Sequence, residues 1–85
     1  MKKIIGSRIT QARRANNLTI KALAVRTGLG APRIGNWEQG TRSPGPEEAI
    51  ILSIELRVAA SWLLCLTDDP SGERLDKVIP IAIDS

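Results

Sequence analysis

The apolar side chains at the start of the chain recur at helical spacing. Ile5, Ile9 and Ala12 are four and then three residues apart, so they share one face of a predicted first helix. The pair Asn16-Asn17 favours a helix end after them, because asparagine tolerates the left-handed conformation found at such ends. The pattern therefore predicts an amphipathic helix followed by a break.

A second helix is predicted over Ile20–Thr27, with Thr19 as its N-cap. This helix is expected to bury Leu23 and Ala24. Gly28 is expected to end it, since glycine adopts a positive φ without steric cost.

A third helix is predicted between Gly30, its N-cap, and Gly40, its end. Pro32 lies in the first turn, where a missing amide hydrogen does no harm. Ile34 and Trp37 are expected to point inward, which leaves the other side of this helix exposed.

Two further helices are predicted, one from Pro46 to about Leu56 and a short one from Ala59 to Leu66. Proline suits the first helical position because its φ is already helical. In the fourth helix Ala49, Leu52 and Leu56 share the core face. The pattern thus predicts an all-α bundle of five helices.

The composition changes after residue 66. Residues 68–72 have the composition of a linker. The run from Val78 to Ile83 is apolar and β-prone, and its proline restricts it to an edge strand or an extended arm. We therefore expect a helical domain at residues 1–66, followed by a linker and an extended C-terminal arm at residues 67–85.

Basic side chains are concentrated in the first half of the chain. Residues 1–42 contain nine lysines and arginines against one acid, Glu38, whereas residues 43–85 contain three against eight. This asymmetry favours a face that attracts a polyanion such as nucleic acid; the alternative is that these side chains only solvate exposed helices. Lys2 and Lys3 belong either to a basic arm that touches phosphates or to a disordered terminus.

Cys65 is the only cysteine, and it lies in an apolar run, so it is expected to be a small core residue in a reducing compartment. No apolar run approaches the length of a membrane span and no signal peptide is recognisable, which indicates a cytoplasmic protein. The chain lacks histidine, a cysteine pair and a glycine-rich phosphate loop. We therefore expect no enzymatic activity, metal site, cofactor or small-molecule substrate.

The spacing within residues 20–39 carries the strongest functional signal. Ala24 provides the small residue that two steeply crossing helices need, and Gly28 provides the left-handed residue that a tight turn needs. With this spacing, the chain resembles the Cro and phage-repressor type of helix-turn-helix domain over about residues 4–66. The resemblance is carried by Ser7-Arg8-Ile9, Leu23-Ala24, Gly28-Leu29, Ile34-Gly35-Asn36-Trp37-Glu38-Gln39-Gly40, Pro44 and Ala60-Ser61-Trp62-Leu63-Leu64.

The resemblance implies a compact, lambda-repressor-like bundle that binds double-stranded DNA through the exposed side of its third helix. Contacts with base edges are implied for Ala31, Pro32, Arg33 and Asn36. Arg33 is the main candidate for specificity, because a guanidinium can pair with guanine O6 and N7 together. The alternative is an exposed arginine that contacts no base.

The resemblance also implies contacts that position the protein without reading sequence. Phosphate contacts are implied for Thr19, Gln39, Thr41, Arg42 and Ser43. A partly buried salt bridge is implied between Arg13 and Glu38, the only acid of the basic half.

Proteins of this type bind palindromic operators as homodimers. Ile51 and Ile54 fall on the outer side of the fourth helix, where apolar side chains require cover. We hypothesise that the arm from Val78 to Ile83 covers them, within the protomer or swapped onto a partner. The alternative is that the tail is the start of a hinge towards a further domain.

These observations predict a transcriptional regulator of phage-repressor or Cro-like type, acting in the cytoplasm on the bacterial nucleoid. The main alternative is an antitoxin that binds a toxin through its C-terminal tail and autoregulates its operon. A third possibility is a helix-turn-helix fold used for protein contacts alone, which predicts no salt-dependent affinity for DNA.

Overall fold

The computed structural model describes residues 1–72. Within them the chain forms α-helices and no strand, which confirms the predicted all-α class. The helices are α1 (Lys2–Ala15), α2 (Ile20–Thr27), α3 (Ala31–Gln39), α4 (Pro46–Leu56) and α5 (Ala60–Leu63). None of these helices is long and apolar enough to cross a membrane. The arm predicted from Val78 to Ile83, and the antitoxin alternative that depends on the tail, lie outside the described residues.

The core is built where the apolar faces of the helices meet. α1 lies against α3 and α5, and α4 lies against α2 and α5. The buried side chains at this centre are Ile5, Ile9, Ala12, Leu23, Ile34, Trp37, Leu52, Leu56, Trp62 and Leu63. Ala24 was expected to be buried as well, but it is half-buried, and it packs against the edge of this core together with Leu29.

The ends of α2 and α3 agree with the sequence pattern, and the end of α5 differs from it. α2 and α3 end as predicted at Gly28 and Gly40, which have φ values of 76° and 81°. The fifth helix is shorter than predicted, because Cys65 adopts a φ of 64° and the amide of Leu66 donates to the carbonyl of Ser61 at 2.8 Å. This hydrogen bond is typical of a Schellman turn, formed here without the glycine that usually marks one.

Gly6 allows α1 to approach the end of α3 closely. A Cβ atom at this position would overlap the carbonyl oxygen of Trp37 and would lie 2.6 Å from that of Glu38. Any side chain at residue 6 would therefore force the two helices apart. The apolar pattern does not report this contact, because it marks which residues are buried and not how closely two backbones approach.

Arg8 joins α1 to the segment that follows α5. Its Nη1 donates to the carbonyl oxygens of Trp62 at 2.6 Å and Thr67 at 2.8 Å, and its Nη2 lies 3.2 Å from a carboxylate oxygen of Asp68. The guanidinium carbon also lies 5.1 Å from the centre of the Trp62 ring. The first residues of the predicted linker therefore contact the helical domain.

Candidate nucleic-acid interface

α2 and α3 form a helix-turn-helix unit whose turn is held by local hydrogen bonds. The hydroxyl oxygen of Thr19 accepts a bond from the amide of Ala22 at 3.0 Å and caps α2. The hydroxyl oxygen of Thr27 accepts a bond from the amide of Leu29 at 3.2 Å, directly after Gly28 reverses the chain. The Thr19 contact fixes the start of α2, and the Thr27 contact lies in the turn that leads into α3.

The candidate base-contacting residues lie at the start of α3. Pro32, Arg33 and Asn36 are exposed, and Ala31 is half-buried. Asn36 follows Pro32 by four residues and Arg33 by three, so these side chains share one side of the helix. Ile34 and Trp37, the core residues of α3, are buried against the rest of the domain, whereas Pro32, Arg33 and Asn36 stay exposed to a partner.

Arg33 is held by a carboxylate of α4. Its Nη1 lies 2.9 Å from Oε2 of Glu48, while Oε1 of Glu48 accepts a bond from the amide of Gly45 at 2.7 Å. The side chains of Arg33 and Glu48 are 58% and 28% exposed. The sequence pattern does not predict this pair, because the two residues belong to different helices with no fixed spacing between them.

The candidate phosphate-contacting residues lie at the two ends of the helix-turn-helix unit. Thr19 is exposed at the start of α2, whereas Gln39, Thr41, Arg42 and Ser43 are exposed at the end of α3 and in the loop that follows. The fold therefore separates these residues into two groups. Both groups leave their side chains accessible to the backbone of a nucleic acid.

A cleft beside α3 brings cations together from distant parts of the sequence. It is lined by Lys2, Arg33, Trp37, Arg42, Ser43 and Glu48. Lys2 and Lys3 are the first residues of α1, so they form neither an arm nor a disordered terminus. No group of His, Cys, Asp or Glu residues suited to a metal ion occurs among residues 1–72. The cleft itself combines three cationic side chains, Lys2, Arg33 and Arg42, with one carboxylate, Glu48, so its net charge is positive.

Arg13 and Glu38 form an ion pair between α1 and α3. Nε and Nη2 of Arg13 donate to the two carboxylate oxygens at 2.7 and 3.1 Å, and the two side chains are only 12% and 8% exposed. Thr10 donates to the same carboxylate at 2.8 Å. Hydrogen bonding to Glu38 raises the pKa of Arg13 above its ordinary value, so the guanidinium stays charged. The one acid of the basic half is thus paired away from the exposed side of α3.

The outer side of α4 carries an apolar patch. Ile51 and Ile54, which the sequence pattern placed there, are 39% and 74% exposed. Ile50, which the pattern did not single out, is 53% exposed and enlarges the patch. This surface lies on a different helix from the candidate base-contacting residues.

Comparison with known proteins places these features in a family. A family model described as helix-turn-helix matches residues 9–63. The chain is also similar to a protein of Bacillus subtilis (strain 168), the uncharacterized HTH-type transcriptional regulator YobD, with 33% identity over 63 residues. The match covers 74% of this chain and 56% of that protein, so the chain spans little more than half the length of its relative. No solved structure matches the chain.

Proposed function

The chain belongs to the helix-turn-helix family of DNA-binding transcriptional regulators, and we propose that it recognises a specific double-stranded sequence through α3. In regulators of this kind the second helix of the motif lies in the major groove, and its N-terminal residues contact base edges. The observation that supports this proposal most directly is the exposed surface of Pro32, Arg33 and Asn36, which is mounted on a helix with a buried inner face.

Base recognition in this proposal belongs to four residues, Ala31, Pro32, Arg33 and Asn36. Arg33 is the principal one, because its planar guanidinium can bond two acceptors of guanine at once. Ala31 and Pro32 carry no side-chain hydrogen-bond donor, so they contribute contacts with thymine methyl groups. Sequence-dependent DNA shape then supplies part of the specificity.

Phosphate binding in this proposal comes from both ends of the motif. The residues assigned to it are Thr19, Gln39, Thr41, Arg42 and Ser43. The cleft beside α3 supports the assignment, since Lys2 and Arg42 line it together. The same positive charge attracts any DNA sequence, so these contacts add affinity and orientation but no selectivity.

The whole regulator, in this proposal, is a phage-repressor-like or Cro-like protein that binds a palindromic operator as a homodimer. One α3 covers only a few base pairs, and two copies related by a two-fold axis place their recognition helices one turn of DNA apart. The exposed patch of Ile50, Ile51 and Ile54 supports a protein contact at α4.

Salt dependence of DNA binding tests the proposed function. The logarithm of the association constant should fall with the logarithm of salt concentration by about 0.9 for each phosphate contacted. The measurement is fluorescence anisotropy with a duplex that the chain has selected from a random pool. Affinity that does not change with salt, or selection that enriches no sequence, would contradict the proposal.

The variant Arg33→Ala tests the assignment of base recognition. Its affinity for the selected duplex should fall by about 1–3 kcal/mol, because one bidentate base contact is lost. Its affinity for random DNA should change little. An equal loss on both duplexes would instead identify Arg33 as a phosphate contact.

A further inference from the structure

The two carboxylate oxygens of Glu48 have different partners. Oε1 accepts the amide of Gly45, the N-cap residue of α4, and Oε2 accepts Nη1 of Arg33. Because the first bond ties the carboxylate to the backbone, the second oxygen is presented from a fixed position. The start of α4 therefore orients the guanidinium of Arg33.

This pairing leaves most of the guanidinium free for DNA. Arginine has five N–H donors, and a bidentate contact with guanine uses two of them. Within residues 1–72 the guanidinium of Arg33 bonds Glu48 through one nitrogen, and the side chain stays 58% exposed. The ion pair and a base contact can therefore exist together.

We propose that Glu48 is a positioning residue that sets sequence specificity, an inference that rests on the proposed function of α3. At a matching site, Arg33 keeps its bond to Glu48 while its other donors meet guanine. Where that guanine is absent, Arg33 can reach only a phosphate. The carboxylate disfavours that contact, because its bond to the amide of Gly45 fixes it beside Arg33, where its charge repels the phosphate. Glu48 thereby weakens non-specific binding more than specific binding.

The substitution Glu48→Gln tests this inference. Glutamine keeps an oxygen for the amide of Gly45 but loses the charge that holds Arg33. The probes are a duplex selected by the wild-type chain from a random pool and a scrambled duplex of the same composition. We expect the ratio of the two affinities to fall by about tenfold, within the range of one bidentate base contact. The salt slope on the scrambled duplex should steepen by about 0.9, because Arg33 gains a phosphate contact.

The matched control is Glu47→Gln. It removes the same charge from the first turn of α4. Glu47 is exposed, and the residue that bonds Arg33 is its neighbour Glu48. This control should raise both affinities equally. In an Arg33→Ala background, Glu48→Gln should leave the ratio unchanged, since the two residues act as a unit. Thermal melts at matched concentration establish that all variants are folded at the temperature of measurement.

The outcomes separate this inference from the proposed function. If Glu48→Gln changes the affinity ratio no more than Glu47→Gln does, the role assigned to Glu48 is wrong, while sequence-specific binding through α3 stands. If the wild-type chain enriches no sequence from the pool, the proposed function is overturned and the inference with it.

Discussion

Arg8 stabilises the domain mainly through its bonds to backbone carbonyl groups. Replacing Arg8 with alanine leaves the carbonyls of Trp62 and Thr67 without their charged donor and removes the contact with the Trp62 ring. We expect Arg8→Ala to lower the free energy of unfolding by about 2–3 kcal/mol. Urea denaturation followed by circular dichroism measures this change.

Two further variants distinguish the contribution of these carbonyl bonds to the free energy of unfolding from the contribution of surface charge. Asp68 is 90% exposed, so Asp68→Asn should change the free energy of unfolding by less than about 1 kcal/mol. Arg14→Ala removes an exposed arginine from the same helix and should have an effect within about 0.5 kcal/mol. If Asp68→Asn lowers the free energy of unfolding as much as Arg8→Ala does, the ion pair, and not the bonds to the carbonyl groups, holds the segment after α5 against α1.

The arginines also show what a sequence can predict of individual side chains. The pair Arg13 and Glu38 could be expected from the resemblance to phage repressors, since both positions match the family pattern. The partners of Arg8 and Arg33 could not be, because they lie on other elements and no spacing rule connects them. Composition indicated that the first half is basic, but the three-dimensional fold determines which cations meet.

At the scale of elements, the packing of α1 on α3 depends on the absence of one Cβ atom. Gly6→Ala should lower the free energy of unfolding by about 1–3 kcal/mol, because the added atom meets backbone that cannot move aside. The control is Gly35→Ala within α3, where a Cβ meets nothing within 4 Å. It should raise the free energy of unfolding by about 0.5–1 kcal/mol through helix propensity. Urea denaturation should show changes of opposite sign in the free energy of unfolding of the two variants. An unchanged free energy of unfolding in Gly6→Ala would contradict the close approach of α1 to α3.

The ends of α2 and α3 were predictable because glycine marks them, whereas the end of α5 was not. Arg57 and Cys65 adopt φ values of 59° and 64° at the ends of α4 and α5, although neither residue type favours that conformation. The end of α4 was still evident, because its apolar pattern stops at Leu56. The apolar run around Cys65 continues beyond α5 and conceals its end, so tertiary packing and not local preference determines the boundary.

At the scale of the whole molecule, the patch on α4 predicts self-association. Ile54→Glu places a charge at a side chain that is 74% exposed, so the folded monomer should tolerate it while a dimer contact at α4 should not. Analytical ultracentrifugation should show a shift towards monomer. Val25→Glu is the control, because it adds the same charge at a side chain that is 78% exposed but belongs to α2 and not to the patch on α4. Equal sedimentation of the wild-type chain and Ile54→Glu would exclude this surface as the dimer contact.

The contacts of Arg8 also bear on when the domain can form during its synthesis. Arg8 is made early, but its two carbonyl acceptors lie 54 and 59 residues later in the sequence. At a translation rate of about 5–20 residues per second, an interval of roughly 3–12 s separates the donor from its last carbonyl acceptor. A nascent chain that stops before Thr67 therefore leaves α1 incompletely anchored. During these seconds the apolar face of α1 lacks part of its packing, so the emerging chain exposes surface that proteases and chaperones can bind.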